Sequence, residues 1–124
     1  MSQRILVVED QEDNRRIVRD LLTSVGYEII EALTGEEGVQ AAATHVPDLI
    51  LMDIQLPVLD GYEATRRIRA NPALDHIPII AVTSYALSGD DVKAFEAGCN
   101  GYVSKPFSPR ALLAKIREFL QETA

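Results

Sequence analysis

The stretch 48-DLILMDIQLP-57 decides the fold. Leu49, Ile50, Leu51 and Met52 form a continuous apolar run without polar alternation, the pattern of a strand covered on both faces. The run ends on a carboxylate, Asp53, with Ile54 next and Pro57 soon after. A strand-capping acid is the simplest reading of Asp53, and it has to be weighed against what the rest of the chain brings to the same place.

Working outward, strand-like and helix-like segments alternate along the chain. Strands are expected at Ile5–Val8, Glu28–Glu31, Leu49–Met52, Ile79–Val82 and Tyr102–Ser104. The first, third and fourth are nearly all apolar, as buried parallel strands should be, whereas the second is short and mixed and suits an edge. Helix signals fill the gaps. Thr34 with Glu37 reads as a capping box opening a helix through Val39, Ala42 and Ala43, and Asp60 with Glu63 repeats the device before Ala64–Ile68. Ser108 followed by Pro109 supplies an N-cap and a proline at the first helical position. The helix they open carries Leu112, Leu113, Ile116, Phe119 and Leu120 at helical spacing. Gly26 and Gly98 stand where helix C-terminal glycines belong. The fourth helix, Asp90–Ala97, offers only Val92, Phe95 and small residues for burial, so it is expected to be the least firmly docked.

Such alternation predicts one three-layer α/β domain over residues 1–124, with a five-stranded parallel sheet. Right-handed crossovers leave few topologies, and a flavodoxin-like order 2-1-3-4-5 leads. Composition agrees with a single globular unit: 124 residues, 47% apolar and 25% charged. No run approaches a membrane span, no basic-then-apolar leader opens the chain, and the single cysteine, Cys99, cannot form an internal disulfide. A cytoplasmic location is the expectation. The net charge of −7 argues against direct nucleic-acid binding, and the one basic cluster, Arg66, Arg67 and Arg69, reads as a solvated helix face.

In a sheet of this order, function gathers beyond the carboxyl ends of the strands, at the switch point between strands one and three. Strand one delivers Glu9 and Asp10 there, strand three Asp53, strand four Thr83, and strand five Lys105 ahead of Pro106. Any one of these could be an accident of strand capping. All five together are not, because two unit charges about 5 Å apart repel by roughly 3 kcal/mol at an effective dielectric of about 20. One lysine cannot offset three acids. A divalent cation can, and an all-oxygen donor set favours magnesium or manganese over zinc. A carboxylate beside such a cation can attack phosphorus to give an aspartyl phosphate, with Lys105 and Thr83 holding the phosphoryl oxygens. Asp53 is the expected nucleophile, since Glu9 and Asp10 are adjacent and suited to metal. His45 and His76 are assigned no site, Cys99 reads as a small packing residue, and Asp13, Asp60 and Asp90 read as helix-start acids.

These residues carry a family resemblance. The segments "ILVVEDQEDN", "DLILMDIQLPVLDGYEATRRIR", "IPIIAVTSYA" and "GYVSKPFS", in this order and spacing, resemble the receiver domain of two-component response regulators over essentially the whole chain. The resemblance implies Asp53 as phosphoacceptor, magnesium held by Asp10, Asp53 and the backbone carbonyl of Gln55, and Glu9 acting on the metal through water. It implies Thr83 as switch hydroxyl, Tyr102 as switch aromatic, Lys105 as the phosphoryl-binding lysine, and a cis peptide at Lys105–Pro106. Gln55 and Tyr85 fall where the family varies and tunes dephosphorylation. A histidine kinase or phosphotransfer protein is the implied donor, and the face of the fourth helix, fifth strand and fifth helix the implied contact for a downstream partner. With no output domain in the sequence, a stand-alone bacterial regulator is expected; "HIPIIAVTSYALSGDD" and "AGCNGYVSKP" are similar to a cell-division regulator of that kind and to receivers of hybrid histidine kinases.

Two rival classes fit less well. A flavin-binding electron carrier of the same fold needs a hydroxyl- and glycine-rich phosphate loop after strand one, where this chain has "EDQED". A magnesium-dependent aspartyl phosphatase of the haloacid dehalogenase type wants a second aspartate two residues beyond the nucleophile, where this chain has Gln55.

Overall fold

The computed structural model describes residues 3–83, 90–105 and 108–120. Five strands, β1 (Arg4–Val8), β2 (Glu28–Ala32), β3 (Leu49–Asp53), β4 (Ile79–Thr83) and β5 (Gly101–Ser104), alternate with α1 (Glu12–Ser24), α2 (Gly35–His45), α3 (Gly61–Arg69), α4 (Asp90–Ala97) and α5 (Pro109–Leu120). All pairings are parallel and the order is β2-β1-β3-β4-β5, the expected flavodoxin-like topology. Each strand is one residue longer than its sequence pattern indicated. As a result, Asp53 and Thr83 are the last residues of β3 and β4 themselves rather than the first residues after them.

Strand parity sorts the core into two layers. Leu6, Val8, Ile50, Met52, Ile79 and Ala81 face α2, α3 and α4, whereas Ile5, Val7, Leu49, Leu51, Ile80 and Val82 face α1 and α5. Since both faces are covered, β3 has no exposed residue at all, which is why its sequence lacks alternation. The same parity places Asp53 on the α1/α5 side and Thr83 on the opposite side with Ala81.

The capping residues act as their chemistry predicts, with one difference. Thr34 accepts from the Glu37 N–H at 3.0 Å, but the Glu37 carboxylate reaches past the cap to the N–H of Leu33, also at 3.0 Å. Asp60 accepts from the Glu63 N–H at 2.9 Å and Ser108 from the Ala111 N–H at 3.0 Å. Gly26, at φ +98°, closes α1 while the N–H of Tyr27 turns back to the carbonyl of Leu22 at 3.1 Å. Helix α2 ends without a glycine, and Val46 takes the left-handed conformation instead, at φ +43°.

Burial corrects the sequence reading in two helices. In α2, Ala42 is buried and Val39 packs against the core, but Ala43 is exposed, and the close approaches come from Gly38 against Val8 and Gly35 against Leu59. In α4, Val92 and Phe95 point outward at 54% and 51% exposure, and the buried contacts come from Ala94 and Ala97. Helix α4 thus meets the core through small side chains, which bury little apolar area each, and on the face opposite to Val92 and Phe95.

The basic cluster also divides. Arg66 and Arg67 are exposed and paired with Glu63, as a solvated face should be. Arg69 is half-buried and clamps the lower end of the sheet. Its Nε donates to Gly98 O at 3.0 Å, Nη1 to Leu74 O and Asp75 O at 3.2 Å each, and Nη2 to Asn100 Oδ1 at 2.6 Å. Asn100 Oδ1 in turn accepts from the N–H of Ile79, so one guanidinium ties α3, the α4–β5 turn and the start of β4. Replacing Arg69 with Met should therefore lower unfolding stability by about 2 kcal/mol in urea titrations, since several carbonyls lose a charged donor. Arg66→Met should stay within about 0.5 kcal/mol of wild type. Equal effects of the two substitutions would dismiss the clamp.

Candidate functional site

Three carboxylates converge at the carboxyl end of the sheet. One oxygen from each of Glu9, Asp10 and Asp53 lies within 4.8 Å of the others, with Glu9 and Asp53 buried and Asp10 half-buried. Asp53 is held rigidly by β3, whose last backbone pairing is to Val82 of β4, and its Oδ1 accepts the N–H of Gln55 at 3.0 Å. Glu9 leaves β1 with its N–H on Ala32 O at 3.0 Å and its carbonyl on Arg15 Nη1 at 3.1 Å. Arg15 itself is anchored by Glu31 at 3.0 Å, so α1 and β2 together fix the turn that carries the two neighbouring acids. The Glu9 carboxylate also accepts the N–H of Gln11 at 3.2 Å.

Lys105 closes the site. Its Nζ sits 2.7 Å from Glu9 Oε1 and 3.6 Å from Asp53 Oδ2, and the Lys105 N–H donates to Thr83 O at 2.6 Å, which fixes the residue to the end of β4. The ammonium thus rests nearer to Glu9 than to Asp53. On the far side of the sheet edge, the buried Thr83 hydroxyl accepts from Gln55 Nε2 at 2.7 Å. Tyr102 is half-buried against the core layer beneath α3 and α4. Tyr85 and the Lys105–Pro106 peptide lie outside the described residues.

The loop after Asp53 is built tightly. The Leu56 N–H turns back to Ile54 O at 3.0 Å and the Leu59 N–H to Pro57 O at 2.8 Å, the second turn putting Val58 at φ +68°. Gly61 then packs directly beneath the site, where any Cβ would collide with the carbonyl of Asp53 and come 2.7 Å from Ile54 Cα. Its glycine is required by close backbone approach. Beside the acids lies a cleft of about 490 Å³ between α1 and α5, with Ile17, Val18, Leu51, Val82 and Leu112 among its lining residues. The apolar floor lowers the local dielectric and strengthens every charge interaction above it.

Burial pushes the Glu9 carboxyl above its ordinary value. The Lys105 ammonium opposes that shift, and the Asp53 carboxylate adds to it. The donor set fits a hard divalent cation: oxygens only, three negative charges and a single lysine among them. Glu9, Asp10 and Asp53 each have an oxygen close enough to the others to share such a cation.

The chain is similar to known proteins over nearly its whole length. The family described as "Response regulator receiver domain" matches residues 5–117. A polar-differentiation response regulator, DivK of Brucella ovis, is 42% identical over 120 residues, covering 97% of this chain and 98% of its own. The receiver domain of a Pseudomonas aeruginosa sensor histidine kinase, solved with a magnesium ion coordinated in its active-site cleft, is 40% identical with a TM-score of 0.91, covering 98% of this chain and all of its own. A putative response regulator from Chloroflexus aurantiacus superposes with a TM-score of 0.93 at 31% identity over 98% of this chain. The chain is thus similar both to a DivK response regulator and to the receiver domain of a sensor histidine kinase.

The raised Glu9 value has a measurable consequence. A carboxyl whose folded value lies above the unfolded one adds stability below about pH 4.5 and loses it as the pH rises through the folded value. Glu9→Gln has no such loss. In chelator-treated protein, urea titrations from pH about 4.5 to about 7 should show the variant gaining on wild type as pH rises. The opposite trend would mean that Lys105 outweighs burial.

Proposed function

The chain belongs to the response regulator receiver domain family, and on that premise we propose that Asp53 is its phosphoacceptor. The observation that carries the proposal is the placement of Asp53: buried at the end of the central strand, 3.6 Å from a lysine, within one cation's reach of two further acids. The family is one of signalling phosphoacceptors rather than of catalytic enzymes.

In this reading a histidine kinase or phosphotransfer protein presents a phosphohistidine. An Asp53 carboxylate oxygen attacks phosphorus, the N–P bond breaks, and the imidazole leaves with the electron pair. Magnesium, when bound by Asp10, Asp53 and the Gln55 carbonyl, would supply positive charge to the phosphoryl oxygens; manganese fits the same oxygens. The strand holds the Asp53 carboxylate at a fixed position, so little ordering is left to pay for at the moment of attack. Lys105 would exchange Glu9 for a phosphoryl oxygen, and Thr83 would donate its hydroxyl to another.

The phosphoryl group adds charge and acceptor oxygens at one edge of the sheet. Thr83 moving toward them leaves room on its own side, which Tyr102 shares, and the α4–β5–α5 face would change for a downstream protein partner. The outward Val92 and Phe95 supply apolar contact area on that face. Driving a two-state domain from 1:99 to 99:1 takes about 5.5 kcal/mol, more than one charge-assisted hydrogen bond of about 1.5–3 kcal/mol can give. Lys105, Thr83 and the cation therefore have to act together. The acidic balance gives no footprint for direct nucleic-acid binding. Among the described residues, no helix is long and apolar enough to cross a membrane.

Incubation with magnesium and acetyl phosphate, followed by intact-mass measurement, tests the assignment. Wild type should gain one phosphoryl group and Asp53→Asn none; equal labelling of the two would refute it. Lys105→Ala should still label, with a much weaker change in binding of the downstream partner.

A further inference from the structure

Gln55 touches both halves of the site. Its main-chain N–H donates to the Asp53 carboxylate at 3.0 Å, and its side-chain amide donates to the Thr83 hydroxyl at 2.7 Å. Strand parity puts these two groups on opposite faces of the sheet, Asp53 toward α1 and α5, Thr83 toward the layer that also holds Tyr102. Gln55 thus links the two groups across the edge.

We propose that the Gln55 side chain is a positioning residue that restrains the Thr83 hydroxyl in the unphosphorylated protein and so sets how readily the switch turns. A hydroxyl has one proton and two lone pairs, and the Gln55 amide occupies a lone pair on the side of the β3–α3 loop. To donate to an oxygen on Asp53, Thr83 must turn across the sheet edge. The Gln55 backbone stays behind, pinned to the Asp53 carboxylate and held in the tight Ile54–Leu56 turn, so its side chain has to leave its resting rotamer to follow. Each activation event therefore strains or breaks the Gln55–Thr83 hydrogen bond. This restraint is separate from any effect of Gln55 on water attack at phosphorus, and it rests on the phosphoacceptor reading of Asp53.

The full chain, loaded with magnesium and titrated with beryllofluoride as a phosphoryl mimic, provides the test. Gln55→Met, which keeps the bulk, and Gln55→Ala, which does not, should both bind the mimic about three- to tenfold more tightly than wild type, the equivalent of one net hydrogen bond released. In a Thr83→Ala background the same substitutions should change nothing. Before any mimic is added, the Thr83 methyl resonance should already shift in both Gln55 variants. Unchanged or weaker binding, an equal gain without the Thr83 hydroxyl, or an unmoved methyl resonance would each overturn the restraint. Failure of the wild type to bind beryllofluoride at all would instead remove the phosphoacceptor reading, and the restraint with it.

Discussion

The mutual repulsion of Glu9, Asp10 and Asp53 is the constraint around which the upper edge of this molecule is organised. Three carboxylates within 4.8 Å would push the loops apart if those loops were free. They are not free. Asp53 is part of a strand buried on both faces, and the turn bearing Glu9 is tied through Arg15 to Glu31 on β2. The lysine that offsets part of the charge is fixed by its own backbone to the end of β4. Rigid surroundings hold the charges in an arrangement that a divalent cation can complete, and the electrostatic cost of the resting state becomes affinity for that cation.

The parallel sheet makes this possible by an economy of topology. All five strands run the same way, so every carboxyl end lies at one edge, and the switch between β1 and β3 opens a gap where the charged ends can meet. Parity then separates the side chains: Asp53 faces one helical layer, Thr83 and Tyr102 the other.

Much of this was legible in the sequence because it is local. Apolar runs gave the strands, caps gave the starts of α2, α3 and α5, and acids at strand ends gave the site. The features that escaped depend on partners distant in the chain. Arg69 looks like any surface arginine beside Arg66 and Arg67, and only the arrival of Gly98 and Asn100 makes it a clamp. The side-chain bond from Gln55 to Thr83 joins residues 28 apart, and no spacing rule points to it. The facing of α4 was misjudged because eight residues give a helical period little to show, and alanines carry a weaker signal than valine or phenylalanine. Val46 and Val58 take left-handed conformations that a β-branched residue gives no reason to expect.

The ion pair between Lys105 and Glu9 spans 96 positions of the chain. In folding terms, the last strand must dock before the first acquires its counter-charge, so the site exists only once a loop of nearly the whole domain has closed. A nascent chain that has made β1 to β4 holds its acids together with no lysine among them. It would be a repelling edge rather than a receiver. Assembly of the Glu9–Lys105 pair is thus tied to completion of the fold.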